Sequence, residues 1–431
     1  MTSVEASPRQ TASIWRNRDF LWFWGGQSVS MVGTQITTFA VPVLAITALG
    51  ADAGQLSLLR TMEFLPFLFL TLPVGLWVDR HPPRPAMIAA NLLRGVLIAL
   101  IAVAGITGML SLSWLAVALL LIGAGTVVFD VAYLSYLPTV VSKDQLVDGN
   151  SKLSVSYSVS EVAGPGLAGG LVQVITAPVT LLVDAFSYLF SVFTLKAIRT
   201  PDSSPAGAEE PKVGLRRQVA DGLAIVARDP FLRTICLESF TYNFFVQFGE
   251  TLVALYALTE LGLSPGMLGL CIGVGSVGGL AGAVVAPRVV RRFGFGPTFV
   301  AGTALGCVAP VLVPIADGSK ASSGVLIAAA YLVTGFGVTI SVIGSVTLRQ
   351  TVAPANLLGR VNAVMRLASY AAVPLGSLAT GVAATAVGVR NGLFIGVAGL
   401  LLPTLILLCS PVLRLKDPLD AGSRQGGGDG S

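Results

Sequence analysis

The chain has 431 residues, of which 54% are hydrophobic and only 11% are charged, and its formal net charge is +5. A soluble globular protein of this length needs more charged surface than this composition supplies, so that class is excluded and a polytopic membrane protein is indicated. A positive net charge would also suit a nucleic-acid partner, but the positions of the basic residues along the chain give the charge another role.

Twelve long apolar segments are separated by short polar connections. Each has roughly 20 residues or more, the length that crosses the hydrocarbon layer of a bilayer as an α-helix. The sequence therefore predicts an all-α polytopic membrane protein with twelve transmembrane helices and the lipid bilayer as its surroundings. The predicted spans are 20–48, 56–78, 86–108, 112–134, 152–174, 178–198, 231–258, 266–287, 297–316, 324–347, 363–386 and 391–413.

The basic residues are concentrated on one side of this predicted arrangement. Of the 27 Lys and Arg residues, all but Arg60, Arg94, Lys320 and Arg390 lie in or beside the termini and alternate connections. Cytoplasmic loops carry the excess of Lys and Arg, so both termini are predicted to be cytoplasmic. The basic surplus is thus a topology signal, and no nucleic-acid partner is expected.

A polar stretch in the middle of the chain separates six spans from six. Residues 200–211 are rich in Pro, Ser and Glu, a composition that cannot bury enough surface to fold. Residues 213–228 place four apolar side chains on one helical face, as in a helix lying on a membrane surface: Leu215, Val219, Leu223 and Val226.

These features predict five regions. They are a cytoplasmic N-terminal segment (1–19), a first six-helix bundle (20–198), a cytoplasmic linker with an amphipathic surface helix (199–230), a second six-helix bundle (231–413) and a disordered cytoplasmic tail (414–431).

A short charged turn follows the second span. It contains Gly75, Asp79, Arg80 and Arg84 between two apolar stretches. Its Gly-x3-Asp-Arg-x3-Arg spacing resembles the signature loop of the major facilitator superfamily, Gly-x3-Asp-Arg/Lys-x-Gly-Arg-Lys/Arg. It departs from that pattern where glycine and a basic residue are usual, at Pro82 and Pro83.

Further motifs narrow the resemblance to the drug/proton antiporter branch that contains macrolide-efflux and enterobactin-exporter proteins. The stretches that carry it are Gly164-Pro165-x3-Gly169-Gly170, Arg60-x2-Glu63-x2-Pro66, Asp130-x7-Pro138, Leu348-Arg-Gln-x2-Val-Ala-Pro354 and Gly359-Arg360-Val-Asn362. The resemblance covers about residues 15 to 415.

The resemblance implies the major facilitator fold, with two pseudo-symmetric six-helix bundles. It also implies a secondary active exporter of small amphiphilic compounds in the bacterial inner membrane, working by proton antiport and alternating access. We expect a monomer that is not an enzyme and needs no cofactor or metal. Two alternatives stay open: a siderophore or other metabolite exporter of the same fold, and a membrane sensor or scaffold that does not transport.

The resemblance also implies a role for the charged turn as a conformational latch. In the family, the aspartate of this loop meets the N-terminal end of the eleventh helix and its basic residues meet an acid at the end of the fourth. Here the latch residues are Gly75, Asp79, Arg80, Arg84 and Asp130. The other interpretation is that these charges only set topology.

The glycine-proline motif of the fifth span has two interpretations. Small residues let helices approach closely and proline bends a helix, so packing alone explains Gly164, Pro165, Gly169 and Gly170. A special coupling role is the alternative.

Polar residues inside the predicted spans are the candidates for a substrate or proton cavity, because an ionisable group inside a membrane is costly unless it pairs or lines a cavity. The candidates are Gln27, Glu63, Arg94, Glu238, Asn243, Gln247 and Glu250.

Within this set, we expect Glu63 and Glu250, with Gln27, to line a central cavity in which one acid exchanges the coupling proton. Arg60 lies three residues before Glu63 and is placed to pair with it. A structural ion pair is the competing interpretation for each acid. For Arg94, pairing with an acid such as Asp184 or Glu161 is favoured over binding an anionic substrate.

Overall fold

The computed structural model describes residues 13–78, 80–201, 215–354 and 357–420, and the regular secondary structure of this part is entirely helical. The α-helices are α1 (Arg18–Leu49), α2 (Ala53–Val78), α3 (Pro83–Ile106), α4 (Leu112–Val140), α5 (Leu146–Ile175), α6 (Ala177–Ala197), α7 (Leu215–Arg228), α8 (Pro230–Leu255), α9 (Pro265–Phe293), α10 (Phe295–Val308), α11 (Leu312–Ile315), α12 (Lys320–Val352), α13 (Leu358–Val387) and α14 (Val389–Leu408).

Ten spans in the described part are long and apolar enough to cross a bilayer, counting α10 and α11 as the single span Phe295–Ile315. A 3-10 turn separates α10 from α11 at Pro310, which has no N–H to continue the helix. α5 and α8 are as long as the other helices but more polar, since α5 carries a run of serines and α8 carries Glu238 and Glu250. With these two helices the predicted all-α polytopic fold is confirmed.

The helices pack as two bundles. α1 to α6 contact one another in the first bundle, and α8 to α14 contact one another in the second. The main contacts between the bundles are made by two helix pairs, α2 with α13 and α5 with α9.

The two ends of the molecule differ in how the bundles meet. We call the end that carries the α2–α3, α4–α5 and α12–α13 connections the basic end, and the other the opposite end. At the opposite end one hydrophobic cluster includes residues of both bundles, such as Leu56 and Val172 with Leu268 and Ala384. At the basic end each bundle has a separate cluster. The bundles are therefore closed together at the opposite end and apart at the basic end.

The helix of the linker, α7, packs on the second bundle. Val226 is buried against α8 and α13, and Asp221 pairs with Arg360 of α13 at 3.3 Å. Leu223, predicted on the same apolar face, is half exposed. The side chains of Leu215 and Val219, like all of residues 202–214, lie outside the described part of the chain.

The predicted disordered tail begins too early. Leu415 is fully buried, its carbonyl accepts from the Gly296 N–H at 2.8 Å, and the carbonyl of Lys416 accepts from the Phe295 N–H at 3.0 Å. The first N–H groups of a helix have no partner within the helix, and here the chain after α14 supplies acceptors for α10. The rest of the predicted tail, 421–431, lies outside the described residues.

Candidate functional site

A cavity lies between the two bundles, and one face of α1 lines its whole length. The residues on this face recur every three or four positions, which is the spacing of one side of a helix. They are Gln27, Ser30, Met31, Thr34, Gln35, Thr38 and Pro42. Sequence reasoning selected only Gln27, although the polar residues at this spacing in an apolar helix were a signal for the others.

The basal chamber is the part of this cavity nearer the basic end. It has a volume of about 360 Å³ and is lined by Gln27, Arg94, Asp130 and Arg366, together with aromatic and hydroxyl side chains. Arg366 comes from α13, so both bundles contribute charge here. Arg94 and Arg366 are the cations whose fields act on Asp130.

The acidic chamber is the part nearer the opposite end. Its larger region, of about 330 Å³, is lined by Glu161, Glu250 and Tyr331, and its smaller region is lined by Arg60, Glu63 and again Glu250. The described lining thus carries three carboxylates and one guanidinium. This chamber suits positive charge, and its apolar walls suit the rest of a partly apolar molecule.

Arg60 connects the two bundles inside the acidic chamber. Its Nη1 lies 3.3 Å from a Glu63 oxygen on the same helix, as the sequence spacing predicted. Its Nη2 lies 3.7 Å from a carboxylate oxygen of Glu250, on α8 of the second bundle. The guanidinium also lies over the ring of Phe64, 4.5 Å from its centroid.

The predicted cavity residues fall in three different places. Gln27 and Arg94 line the basal chamber, and Glu63 and Glu250 line the acidic chamber. The other three lie inside the second bundle: Glu238 and Asn243 line a separate cavity between α8, α10 and α12, and Gln247 is buried and donates to the Asn243 carbonyl at 3.2 Å. Glu238 and Glu250 are twelve residues apart on α8, and at about 100° per residue their side chains point about 120° apart around the helix axis. The two acids of this one helix therefore line two different cavities.

The pairing favoured for Arg94 is not found. Its guanidinium lies between the rings of Phe129 and Tyr188, 4.5 and 4.6 Å from their centroids, and it donates to the Asn91 side chain. No carboxylate of the described residues is within ion-pair distance of it, since Asp184 instead accepts from hydroxyl groups of α1 and α6. The two aromatic faces take the place of an acid.

The predicted latch residues are spread over the basic end. Arg84 donates to the carbonyls of Lys196 and Ile198 at 3.0 and 2.8 Å, at the end of α6. Arg80 is exposed, and a Cβ on Gly75 would meet no atom within 4 Å. Asp130 faces the basal chamber, and Asp79 lies outside the described residues.

The glycine-proline motif lies where helices touch. A Cβ on Gly169 would lie 2.7 Å from the carbonyl oxygen of Pro265 and 2.9 Å from Cα of Gly269, and one on Gly164 would clash with the Gln35 side chain. A Cβ on Gly269 would in turn lie 2.5 Å from the Pro165 carbonyl oxygen. Gly170 has open space around it. Close packing of α5 on α9 therefore accounts for Gly169, and of α5 on α1 for Gly164.

The family model of the Major Facilitator Superfamily matches residues 23–377. The chain belongs to the major facilitator superfamily. Members of this superfamily are transporters, so the chain is a membrane transporter that takes a small-molecule substrate.

Three curated proteins have related sequences. The uncharacterized MFS-type transporter YfiS of Bacillus subtilis is 25% identical over 383 residues, covering 87% of this chain and 89% of that protein. The multidrug efflux pump Tap of Mycolicibacterium fortuitum is 27% identical over 400 residues, covering 86% of this chain and 93% of that protein. Macrolide efflux protein A of Streptococcus pyogenes is 22% identical over 269 residues, covering 59% of this chain and 66% of that protein.

Solved transporter structures share the fold. A bacterial homologue of the iron transporter ferroportin in its inward-facing state superposes with a TM-score of 0.74 at 20% identity, covering 92% of this chain and 99% of that one. The outward-facing state of a bacterial ferroportin homologue gives a TM-score of 0.57, also at 20% identity, covering 90% and 98%.

Proposed function

We propose that this protein is a secondary active exporter of small amphiphilic compounds that works by proton antiport. In this proposal both termini lie in the cytoplasm of a bacterial cell and the basic end faces inward, an orientation that the distribution of Lys and Arg supports. The separate hydrophobic clusters at the basic end then correspond to a carrier open to the cytoplasm. Relatives named as macrolide and multidrug efflux proteins support export as the direction.

The observation that carries the proposal is the position of Arg60 between Glu63 and Glu250. The contact with Glu250 crosses from one bundle to the other, so it exists only while the bundles are close at this level. In this conformation it adds to the hydrophobic cluster that closes the opposite end. The ion pair therefore favours the state open to the cytoplasm over the state open to the exterior.

This ion pair hinders the empty carrier from changing between the state open to the cytoplasm and the state open to the exterior. A substrate with a cationic group competes with Arg60 for the two carboxylates, and a proton on Glu250 removes the charge that Arg60 attracts. Either occupant weakens the contact between bundles, whereas the empty, deprotonated carrier keeps it. Exchange of one substrate for protons from the other side follows, which is antiport by alternating access.

The charged turn completes the proposal at the basic end. Asp79, Arg80 and Arg84, with Asp130, hold this end closed once the opposite end has opened. We expect Asp79→Ala to leave membrane insertion unchanged and to lower transport. Unchanged efflux at wild-type expression would contradict the latch.

The decisive experiment uses proteoliposomes with an imposed pH gradient and a panel of fluorescent amphiphiles. We expect Glu63→Gln and Glu250→Gln to lose proton-coupled efflux, and Glu260→Gln, an exposed acid near the opposite end of α8, to keep it. If both cavity variants transport like the wild type, the proton site lies elsewhere. Absence of any substrate-dependent flux that uncouplers abolish would leave the sensor or scaffold role instead, and competition by siderophores would indicate the metabolite exporter.

A second arm tests the ion pair itself. Arg60→Gln removes the group that restrains the empty carrier. Both the protonated and the empty forms of this variant can then change between the state open to the cytoplasm and the state open to the exterior. We expect this variant to dissipate the pH gradient without substrate, faster than the wild type. A gradient as stable as in wild-type vesicles would refute the proposed role of the pair.

A further inference from the structure

The second bundle contains a cavity that is separate from the proposed transport route. It lies between α8, α10 and α12, has a volume of about 280 Å³ and shares no lining residue with the basal or acidic chamber. Its wall carries one carboxylate, Glu238, one guanidinium, Arg349, and hydroxyl groups that include Thr303 and Ser341. A cavity of this size and polarity holds several water molecules or one small polar ligand.

Glu238 has few partners for a buried charge. The residue is 5% exposed, and the one donor to its carboxylate among the described residues is the Ser341 hydroxyl, at 3.5 Å. Ser341 in turn lies 2.8 Å from the Thr303 hydroxyl, which forms a short polar chain across the three helices. A carboxylate accepts about four hydrogen bonds, so most of its capacity is free to face the cavity.

Arg349 is the opposite charge in the same cavity, and its side chain is partly buried. It lies in the last turn of α12 and lines the same cavity, and its Nε is buried with no hydrogen-bond partner. Within the described part of the chain neither Arg349 nor Glu238 belongs to an ion pair. A buried carboxylate is normally paired, yet Glu238 and the partly buried Arg349 line one cavity without forming an ion pair with each other.

We propose that this cavity binds a small zwitterion, with its ammonium group on Glu238 and its anionic group on Arg349. Such a ligand neutralises both charges and supplies the hydrogen bonds that they lack. Ser341 and Arg349 are eight residues apart on α12, or about 12 Å along the helix axis. Even after the reach of the arginine side chain, the two charges of the ligand are several bonds apart, as in a phosphoethanolamine group.

Free glycerophosphoethanolamine and the headgroup of phosphatidylethanolamine share this chemistry. The first test measures thermal unfolding of the delipidated protein in detergent with glycerophosphoethanolamine, ethanolamine alone or inorganic phosphate alone. We expect a saturable rise in Tm with glycerophosphoethanolamine and a smaller effect of either single-charge probe. No rise with the zwitterion, or the full effect with ethanolamine alone, overturns the proposal.

Substitutions in the cavity test whether the rise in Tm comes from binding there. Glu238→Gln and Arg349→Gln are each expected to weaken the apparent affinity about 10-fold or more, because each removes a charged hydrogen-bond partner. Glu260→Gln, at an exposed acid, and Arg288→Gln, at the same end of the molecule as Arg349, change the same charges outside the cavity and should keep the affinity. Equal affinity in all four variants overturns the proposal.

A variant that fills the cavity guards against loss of folding in the charge variants. Ser345→Leu places an apolar side chain in the cavity and leaves both charges in place, so it should abolish the rise in Tm. An unchanged rise would place the binding site elsewhere and refute the proposal.

Nanodiscs distinguish the two sources of the zwitterion. If the lipid headgroup is the natural occupant, added glycerophosphoethanolamine raises Tm in phosphatidylglycerol nanodiscs but not in phosphatidylethanolamine nanodiscs. If a free molecule is the occupant, it raises Tm in both. Because binding is measured without transport, these results do not depend on whether the export proposal holds.

Discussion

The contact between Gly169 of α5 and Gly269 of α9 controls how closely the bundles approach at the opposite end. In Gly169→Ala the new Cβ would lie 2.7 Å from the Pro265 carbonyl oxygen, whereas ordinary contact begins near 3.4 Å. The helices must therefore separate by about 0.7 Å, and overpacking of this kind costs about 1–3 kcal/mol. This cost applies only while the opposite end is closed.

The expected result is a shift of the conformational equilibrium by about 5–150-fold toward the state open at the opposite end. Alanine also favours a helix over glycine by about 1 kcal/mol, but that gain is equal in both conformations and cancels in their ratio. Gly170→Ala is the matched control, because it makes the same change one residue away, where a Cβ meets no atom within 4 Å.

Spin-label distances measure this equilibrium in a background without the four native cysteines. Labels at Val174 and Lys320 report on the opposite end, and labels at Val147 and Phe293 report on the basic end. We expect Gly169→Ala to lengthen the first distance and shorten the second, with Gly170→Ala like the parent. If Gly169→Ala leaves both distances unchanged, the glycine contact does not set the equilibrium.

Three further substitutions test other contacts. Arg366→Gln removes the second bundle's charge from the basal chamber, where that charge acts on Asp130. We expect closure of the basic end to weaken and efflux to fall about fivefold or more. An equal loss of efflux in Arg288→Gln would contradict this role of Arg366. In Gly222→Leu a Cβ would approach Val364 and the Arg360 carbonyl to 2.8 and 3.0 Å, so both must be displaced. We expect the free energy of unfolding to fall by about 1–3 kcal/mol and the Tm to fall with it, whereas Ala224→Leu, at an exposed position, should leave both unchanged. Equal Tm values in the two variants would refute the packing of α7. Asp229→Ala removes the cap that accepts from the Phe231 and Leu232 N–H groups; a loss of about 1 kcal/mol in thermal unfolding is expected, and a wild-type Tm would show that the cap is replaced.

The fold was predictable because a bilayer imposes a length on each apolar segment. The polarity of α5 and α8 did not hide them, since their apolar stretches have the same length as the others. The prediction failed at Leu415, because a single apolar residue among charges gives no periodic signal. Its burial depends on α10, which is distant in sequence and needs acceptors at its N-terminus.

The contacts of the candidate site were predictable from the sequence only where both residues lie on one helix. The pairing of Arg60 with Glu63 follows from a spacing of three residues on α2. That Glu250 of α8 joins them depends on how the bundles meet, which no local pattern contains. The same limit explains Glu238 and Arg94, whose surroundings are set by neighbouring helices rather than by their own.

The single hydrophobic cluster at the opposite end has a kinetic consequence for a carrier of this kind. In the proposed exporter, that cluster and the Arg60–Glu250 contact both hold the empty carrier open at the basic end, where the substrate is taken up. Each cycle must then dismantle apolar packing on one side and rebuild it on the other. The slow step of turnover is expected to be this exchange of packing, so compounds of very different affinity would be transported at similar maximal rates.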